Sequence, residues 1–172
     1  MIRSLDITNL SAAAEKQSIF DSVHELELST EPEKILNLRM KSSKGTIPDA
    51  LEIIQRFVSS SVDLSIEASG EINPAGLLLS ASGKPKCRKA TFSTIFMLRD
   101  KELDEKGKKK TKDPYATCLI ETLCGLGAKR SQLTDIMSSQ SFITSIDAKK
   151  LRIIDDAGLV KNKYKEEKKK SS

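Results

Sequence analysis

Residues 68–100, ASGEINPAGLLLSASGKPKCRKATFSTIFMLRD, constrain the fold more than any other stretch. A short strand, Leu64–Ala68, runs into Gly70, and a helix of small and aliphatic residues follows over Pro74–Ser80. A basic turn, Gly83–Lys86, leads to two strand-like pieces, Arg88–Phe92 and Ile95–Arg99. Strand, sharp turn and small-residue helix is how α/β hydrolytic folds present a nucleophile. The first turn of such a helix aims free backbone N–H groups at the turn, where an anion or oxyanion could sit. Pro74, at the head of this helix, has neither a hydroxyl nor an N–H. The stretch reads as a catalytic scaffold without its catalyst.

The rest of the chain supports a crossover architecture. Met1–Ile7 predicts an opening strand. Ser11–Leu28 carries Ala14, Ile19, Val23 and Leu26 at three- and four-residue steps, the pattern of an amphipathic helix. Glu31–Lys34 is a turn around Pro32, and Ile35–Met40 alternates as a strand. Lys41–Gly45 is expected to be a polar loop. Pro48 suits a first helical turn, and Leu51, Ile54 and Val58 form a stripe on the helix that follows, Asp49–Ser60. Strand, helix and strand in this order predict right-handed βαβ units and a largely parallel sheet. Further helices are expected over Pro114–Leu126 and Ser131–Ser139.

At 172 residues the chain is long enough for one domain with a real core. We place that domain at residues 1–160, with a charged insert near 101–113 and a Lys-rich disordered tail over 161–172. The net charge of +5 lies mostly in Lys runs within the insert and the tail. The runs Lys108-Lys109-Lys110 and Lys168-Lys169-Lys170 have no aromatic residue interleaved, so nucleic-acid binding is not expected. No apolar run approaches the roughly 20 residues of a membrane span. Three cysteines (Cys87, Cys118, Cys124) without a C-x-x-C pair argue against a disulfide framework and for a cytoplasmic setting. With one histidine, no metal site is expected, and no cofactor.

The stretch Gly70-Glu71-Ile72-Asn73-Pro74-Ala75-Gly76-Leu77, with Leu78-Leu79, Gly83-Lys84 and Met97-Leu98-Arg99-Asp100, resembles the proteolytic subunit of the Clp protease (ClpP), within the ClpP/crotonase superfamily. That family writes Gly-x-Ala-Ala-Ser-Met-Gly-Ala, Leu-Leu, Gly-Lys-Arg and Met-Ile-His-Gln in the same order. Its Asp-Pro-Glu-Lys and Asn-Ser-Pro-Gly-Gly runs are similar to Glu31-Pro32-Glu33-Lys34 and Lys41-Ser42-Ser43-Lys44-Gly45. Its Arg-Asp-Asn-Phe-Met-Ser-Ala-Glu-Glu-Ala and Tyr-Gly-Leu-Ile-Asp runs fall on Ser139–Ala148 and Leu151–Asp155, with Phe142, Ala148 and Asp155 in common. The resemblance covers roughly residues 1–156 and implies a ClpP/crotonase-like spiral of βαβ units.

It also implies that the serine, histidine and aspartate of the family's triad fall on Pro74, Arg99 and Gln140. Proline cannot attack. Arginine, with a pKa above about 12, is no base near neutrality. Glutamine cannot stabilise an imidazolium by charge. Lys44 stands where the family has the first of its paired glycines, so Lys44, Gly45 and Ala75 are remnants of the oxyanion position. Arg99 and Lys44 could make the old cleft cationic, against the plainer reading that Arg99 pairs with a nearby aspartate. Substitutes are few. His24 lies on the first helix and reads as a surface residue. Ser80 or Ser82 with Lys84 or Lys86 could form a dyad, against the plainer reading that these serines cap or face solvent. Cys87 lacks a base.

The expectation is therefore a catalytically inactive ClpP-like protein, a serine protease homologue acting as a structural or binding subunit, either within a Clp-type ring or free-standing. The alternative is a peptidase or acyl-transfer enzyme of the superfamily with a non-standard site. Self-association or ClpP-like partner subunits are expected. The resemblance also implies that the axial gate meeting an unfoldase is absent. It implies that the handle joining two rings is replaced by residues 101–113.

Overall fold

The computed structural model describes residues 1–98, 114–139 and 142–158. In chain order the elements are β1 (Ile2–Asn9), α1 (Ala13–Leu28), β2 (Ile35–Lys44), α2 (Ile47–Val58), β3 (Asp63–Ser69), β4 (Glu71–Ile72) and α3 (Pro74–Ser82). There follow β5 (Arg88–Ala90), β6 (Ile95–Met97), α4 (Pro114–Gly125), α5 (Arg130–Ser139), β7 (Phe142–Thr144) and α6 (Ser145–Lys150). Strands β1-β2-β3-β5 form one sheet in that spatial order, parallel throughout. A second sheet, β4-β6-β7, joins a parallel pair to an antiparallel one. The class is α/β with a mostly parallel sheet, as the pattern of apolar blocks predicts.

The register of the first sheet follows from its buried rows. Leu36, Leu38 and Met40 of β2 stand beside Leu64, Ile66 and Ala68 of β3, and all six are buried. A slip of one residue would turn each row to the other face, exposing side chains worth roughly 1.5–3 kcal/mol each for the larger ones. β2 runs four residues beyond the expected end. Lys41–Lys44 is strand, not loop, because its backbone still pairs: Lys41 lies opposite Ser69 and Lys44 opposite Asn9.

Helix α2 starts where Thr46 and Asp49 form a capping box, with Pro48 in the first turn. It buries Ile47, Ala50, Ile53 and Phe57. The expected stripe was Leu51, Ile54 and Val58; the first two are half-buried and Val58 is exposed. The apolar residues form one broad side of the helix, opposite Asp49, Glu52, Gln55 and Arg56, and the surface it packs on selects the Ala50–Ile53–Phe57 edge of that side as the innermost one. Helix α1 buries Ile19, Val23 and Leu26 as expected, while Ala14 is exposed. Lys16 Nζ on α1 donates to Asp49 and Glu52 of α2, each at 2.8 Å, and Arg56 makes a two-pronged pair with Glu27. Burial pushes the Asp49 carboxyl up, but hydrogen bonds from Lys16, Ser11 and Thr46 outweigh it and hold the pKa well below the usual carboxylate range.

Helix α3 is the centre of the molecule. Every residue from Pro74 to Ala81 is buried, which a helix without a polar face requires. Its buried Ser80 hydroxyl donates back to the Gly76 carbonyl at 2.8 Å. The strand after it is β5, which stops at Ala90, so Phe92 sits in a turn and is exposed rather than continuing a strand. Among the described residues no helix is long and apolar enough to cross a membrane.

Candidate functional site

The site to test is the head of α3. β3 leaves the first sheet at Gly70, whose φ of 75° makes the sharp turn into β4 in the second sheet. The end of β2 lies close against this turn: a Cβ on Gly70 would stand 2.5 Å from Ser42 Oγ. Gly45, with φ 126°, closes β2 against Leu10, where a Cβ would be 2.7 Å from that side chain's own Cβ. The three segments meet around Asn73.

Asn73 caps α3, its Oδ1 accepting from the Gly76 N–H at 2.9 Å. The same oxygen accepts from Ser43 Oγ at 3.2 Å, and Nδ2 donates to the Gly45 carbonyl at 2.6 Å. One half-buried amide thus holds the helix, the end of β2 and the loop after it. Pro74 follows at the first helical position, buried, with no group that can attack or donate. Ala75 is also buried, and its N–H has no acceptor among the described residues. Lys44 is exposed, and its carbonyl accepts from the Leu10 N–H at 2.8 Å.

The structure therefore brings Pro74, Ala75 and Gly45 to one place, around Asn73, with Ser43. Arg99 and Gln140, and the insert and tail, lie outside the described residues. The suggested dyad is not assembled. Ser80 is spent on its own helix, Ser82 donates to the Leu79 carbonyl at 2.8 Å, and Lys84 Nζ binds Asp63 at 2.6 Å. His24 is exposed on α1, 3.9 Å from Glu27. Cys87, Cys118 and Cys124 are free thiols, each half-buried. Among the described residues no cluster of His, Cys, Asp or Glu has metal-holding geometry.

Sequence reasoning passed over Asn73 and Ser43. The signal for Asn73 was present: asparagine before proline before small helical residues is an N-cap followed by the preferred first helical residue. Ser43 carried no signal, because its role depends on a helix that starts thirty positions later.

No family model and no curated protein matches the chain. Solved structures do. The catalytic domain of the ClpP protease from Plasmodium falciparum superposes with a TM-score of 0.69 at 18% identity, covering 92% of this chain and 86% of that one. A peptidase from the same organism superposes with a TM-score of 0.69 at 17% identity, over 90% and 94% of the two chains. At such identity the likeness is one of architecture, and the chain has the ClpP fold.

Proposed function

We propose that this protein is a catalytically inactive member of the ClpP-like group, acting as a structural or binding subunit in association with copies of itself or with ClpP-like partners. The observation that carries the reading is Pro74 as the buried first residue of α3. In the register implied by the resemblance, that is the nucleophile's place. The Ser43 hydroxyl, the Gly45 carbonyl and the Gly76 N–H beside it are committed to Asn73. Arg99 at the base position and Gln140 at the orienting position support the same reading, since serine attack requires all three roles together. Loss of the hydroxyl alone removes the acyl-enzyme route.

The test has two parts. Purified protein is incubated with a fluorophosphonate probe and small peptide esters, and its native mass is measured with and without an active ClpP-like chain. The reading expects no labelling, ester turnover at the rate of buffer, and a complex larger than the monomer. Labelling abolished by a single Ser→Ala substitution would overturn inactivity. A monomer under every condition would overturn the subunit role.

A further inference from the structure

A second site lies away from the head of α3. A cavity of about 130 Å³ opens between the start of α5 and the end of α6, lined by Gly127, Lys129, Gln132, Lys150, Leu151 and Arg152. Three of the six linings are cations. Lys129 and Arg152 have no carboxylate partner among the described residues, and Lys150 Nζ lies 3.5 Å from Asp147. Three cations against one carboxylate leave two positive charges around the cavity. The neighbouring Arg130 adds little, because it pairs with Glu121.

The backbone gives the cavity the same sign. Lys129 directly precedes α5, and its carbonyl accepts from the Leu133 N–H at 3.1 Å, so the first N–H groups of α5 form the positive end of a helix there. The opposing, negative end of α6 is quenched internally. The Asp147, Ala148 and Lys149 carbonyls accept from the N–H groups of Leu151, Ile153 and Arg152. Arg152 holds φ 63°, a left-handed conformation that residues with a side chain rarely adopt. The similar run quoted above has glycine at this position, so the chain keeps the turn and adds a guanidinium to it.

We propose that this cavity binds a phosphate group carried by a small ligand. A phosphate monoester near neutral pH carries about 1.5–2 negative charges, nearer to balancing the two uncompensated cations than a carboxylate, which carries one. Arginine and lysine supply charge-assisted hydrogen bonds, and Gln132 adds an amide donor. The space is ample, since a single water needs only about 10–15 Å³. None of the residues holding the Asn73 network lines this cavity, so the site stands whether or not the head of α3 is inactive.

The test is calorimetric titration of the whole chain with orthophosphate, pyrophosphate and a nucleoside diphosphate, at constant ionic strength kept by sodium chloride. Saturable binding of at least one probe is expected, with a Kd near or below ~1 mM; the tightest of the three identifies the form in which the phosphate is carried. Arg152→Gly, which suits the left-handed turn and so folds, and Lys129→Gln should each weaken binding by roughly tenfold or more. Lys41→Gln, on an exposed residue of β2, should leave it unchanged. No saturable binding by any probe would overturn the proposal. So would affinity indifferent to both cavity variants, or affinity lowered equally by Lys41→Gln.

Discussion

Arg88 and Asp155 stand 67 positions apart and meet as a two-pronged ion pair, Nη2 to Oδ1 at 2.7 Å and Nε to Oδ2 at 2.9 Å. Asp155 also accepts from the backbone N–H groups of Lys86 and Arg88, and Arg88 Nη1 donates to the Ala81 carbonyl. The pair ties the last described turn of the chain to the exit of α3 and to β5. Hydrogen bonds from Arg88 hold the Asp155 carboxyl below its ordinary pKa. Replacing Asp155 with Ala strands a guanidinium whose side chain is only 11% exposed. The expected loss is about 3 kcal/mol, or roughly 6–12 °C in Tm for a chain of this size.

The same pair sets a pH dependence. A carboxylate with a depressed folded-state pKa contributes its stability above the unfolded value of about 3.9 and loses it as pH falls through the folded value. Asp155→Asn removes that contribution. The Tm difference between wild type and Asp155→Asn should be level from about pH 7 to pH 5 and shrink below about pH 4. Thermal melts across that range check it; a difference that widened in acid would contradict the assignment.

Asn73 serves as a cap and as a clamp, and the two roles separate by substitution. Asn73→Ala removes both and should cost about 2 kcal/mol in urea unfolding, the upper end for a lost cap, because the Gly45 carbonyl also loses its donor. Asn73→Asp keeps the cap acceptor and suits the helix N-terminus. It also sets an oxygen where Nδ2 now donates to the Gly45 carbonyl at 2.6 Å. Aspartate should therefore be destabilising here, although it caps helices as well as asparagine does. Equal stability of Asn73→Asp and wild type would show that the clamp is worthless.

Two glycines in helices predict opposite signs. At Gly76 a Cβ would stand 2.2 Å from Ser43 Oγ and 2.8 Å from Ile72 Cγ2, so Gly76→Ala must push β2 or β4 away from α3. A loss of about 1–3 kcal/mol is expected, against the helix propensity of alanine. At Gly125, the last residue of α4, nothing lies within 4 Å of the added atom. Gly125→Ala should gain up to about 1 kcal/mol. Chemical denaturation of the two variants side by side tests the packing of α3 independently of any function.

What could be read from the sequence was whatever repeats locally. The rows Leu36-Leu38-Met40 and Leu64-Ile66-Ala68 alternate, and Ile19, Val23 and Leu26 recur at helical steps, so the first sheet and α1 were legible. β6 was legible within the strand-like Ile95–Arg99; β4 and β7 have two and three residues, too few to show a period, so its pairing partners in the second sheet went unread. The polar end of β2 was hidden for a related reason: strand pairing uses backbone groups, which Lys41-Ser42-Ser43-Lys44 possess as fully as an apolar run. Pro74 at the head of a small-residue helix was visible at once. The contacts that fix its surroundings, Ser43 to Asn73 and Asn73 to Gly45, span about thirty positions and leave no local trace.

Restoring the hydroxyl alone should not restore chemistry. Pro74 occupies the first helical position, where serine is sterically acceptable, so Pro74→Ser should fold with a loss within about 1 kcal/mol from the freer unfolded chain. The new Oγ would sit at the head of α3, close to the Ala75 N–H, which has no acceptor among the described residues. What it would lack is a base: in the proposed register that place holds Arg99, a permanent cation that cannot take a proton near neutrality. The expected result for Pro74→Ser is fluorophosphonate labelling and peptide-ester turnover indistinguishable from wild type. Adding Arg99→His and Gln140→Asp supplies the remaining two roles, and any gain should appear only in the triple variant, because triad members act as a unit. Rapid labelling of the single variant would mean that a base already faces Pro74, and the inactive reading would fall.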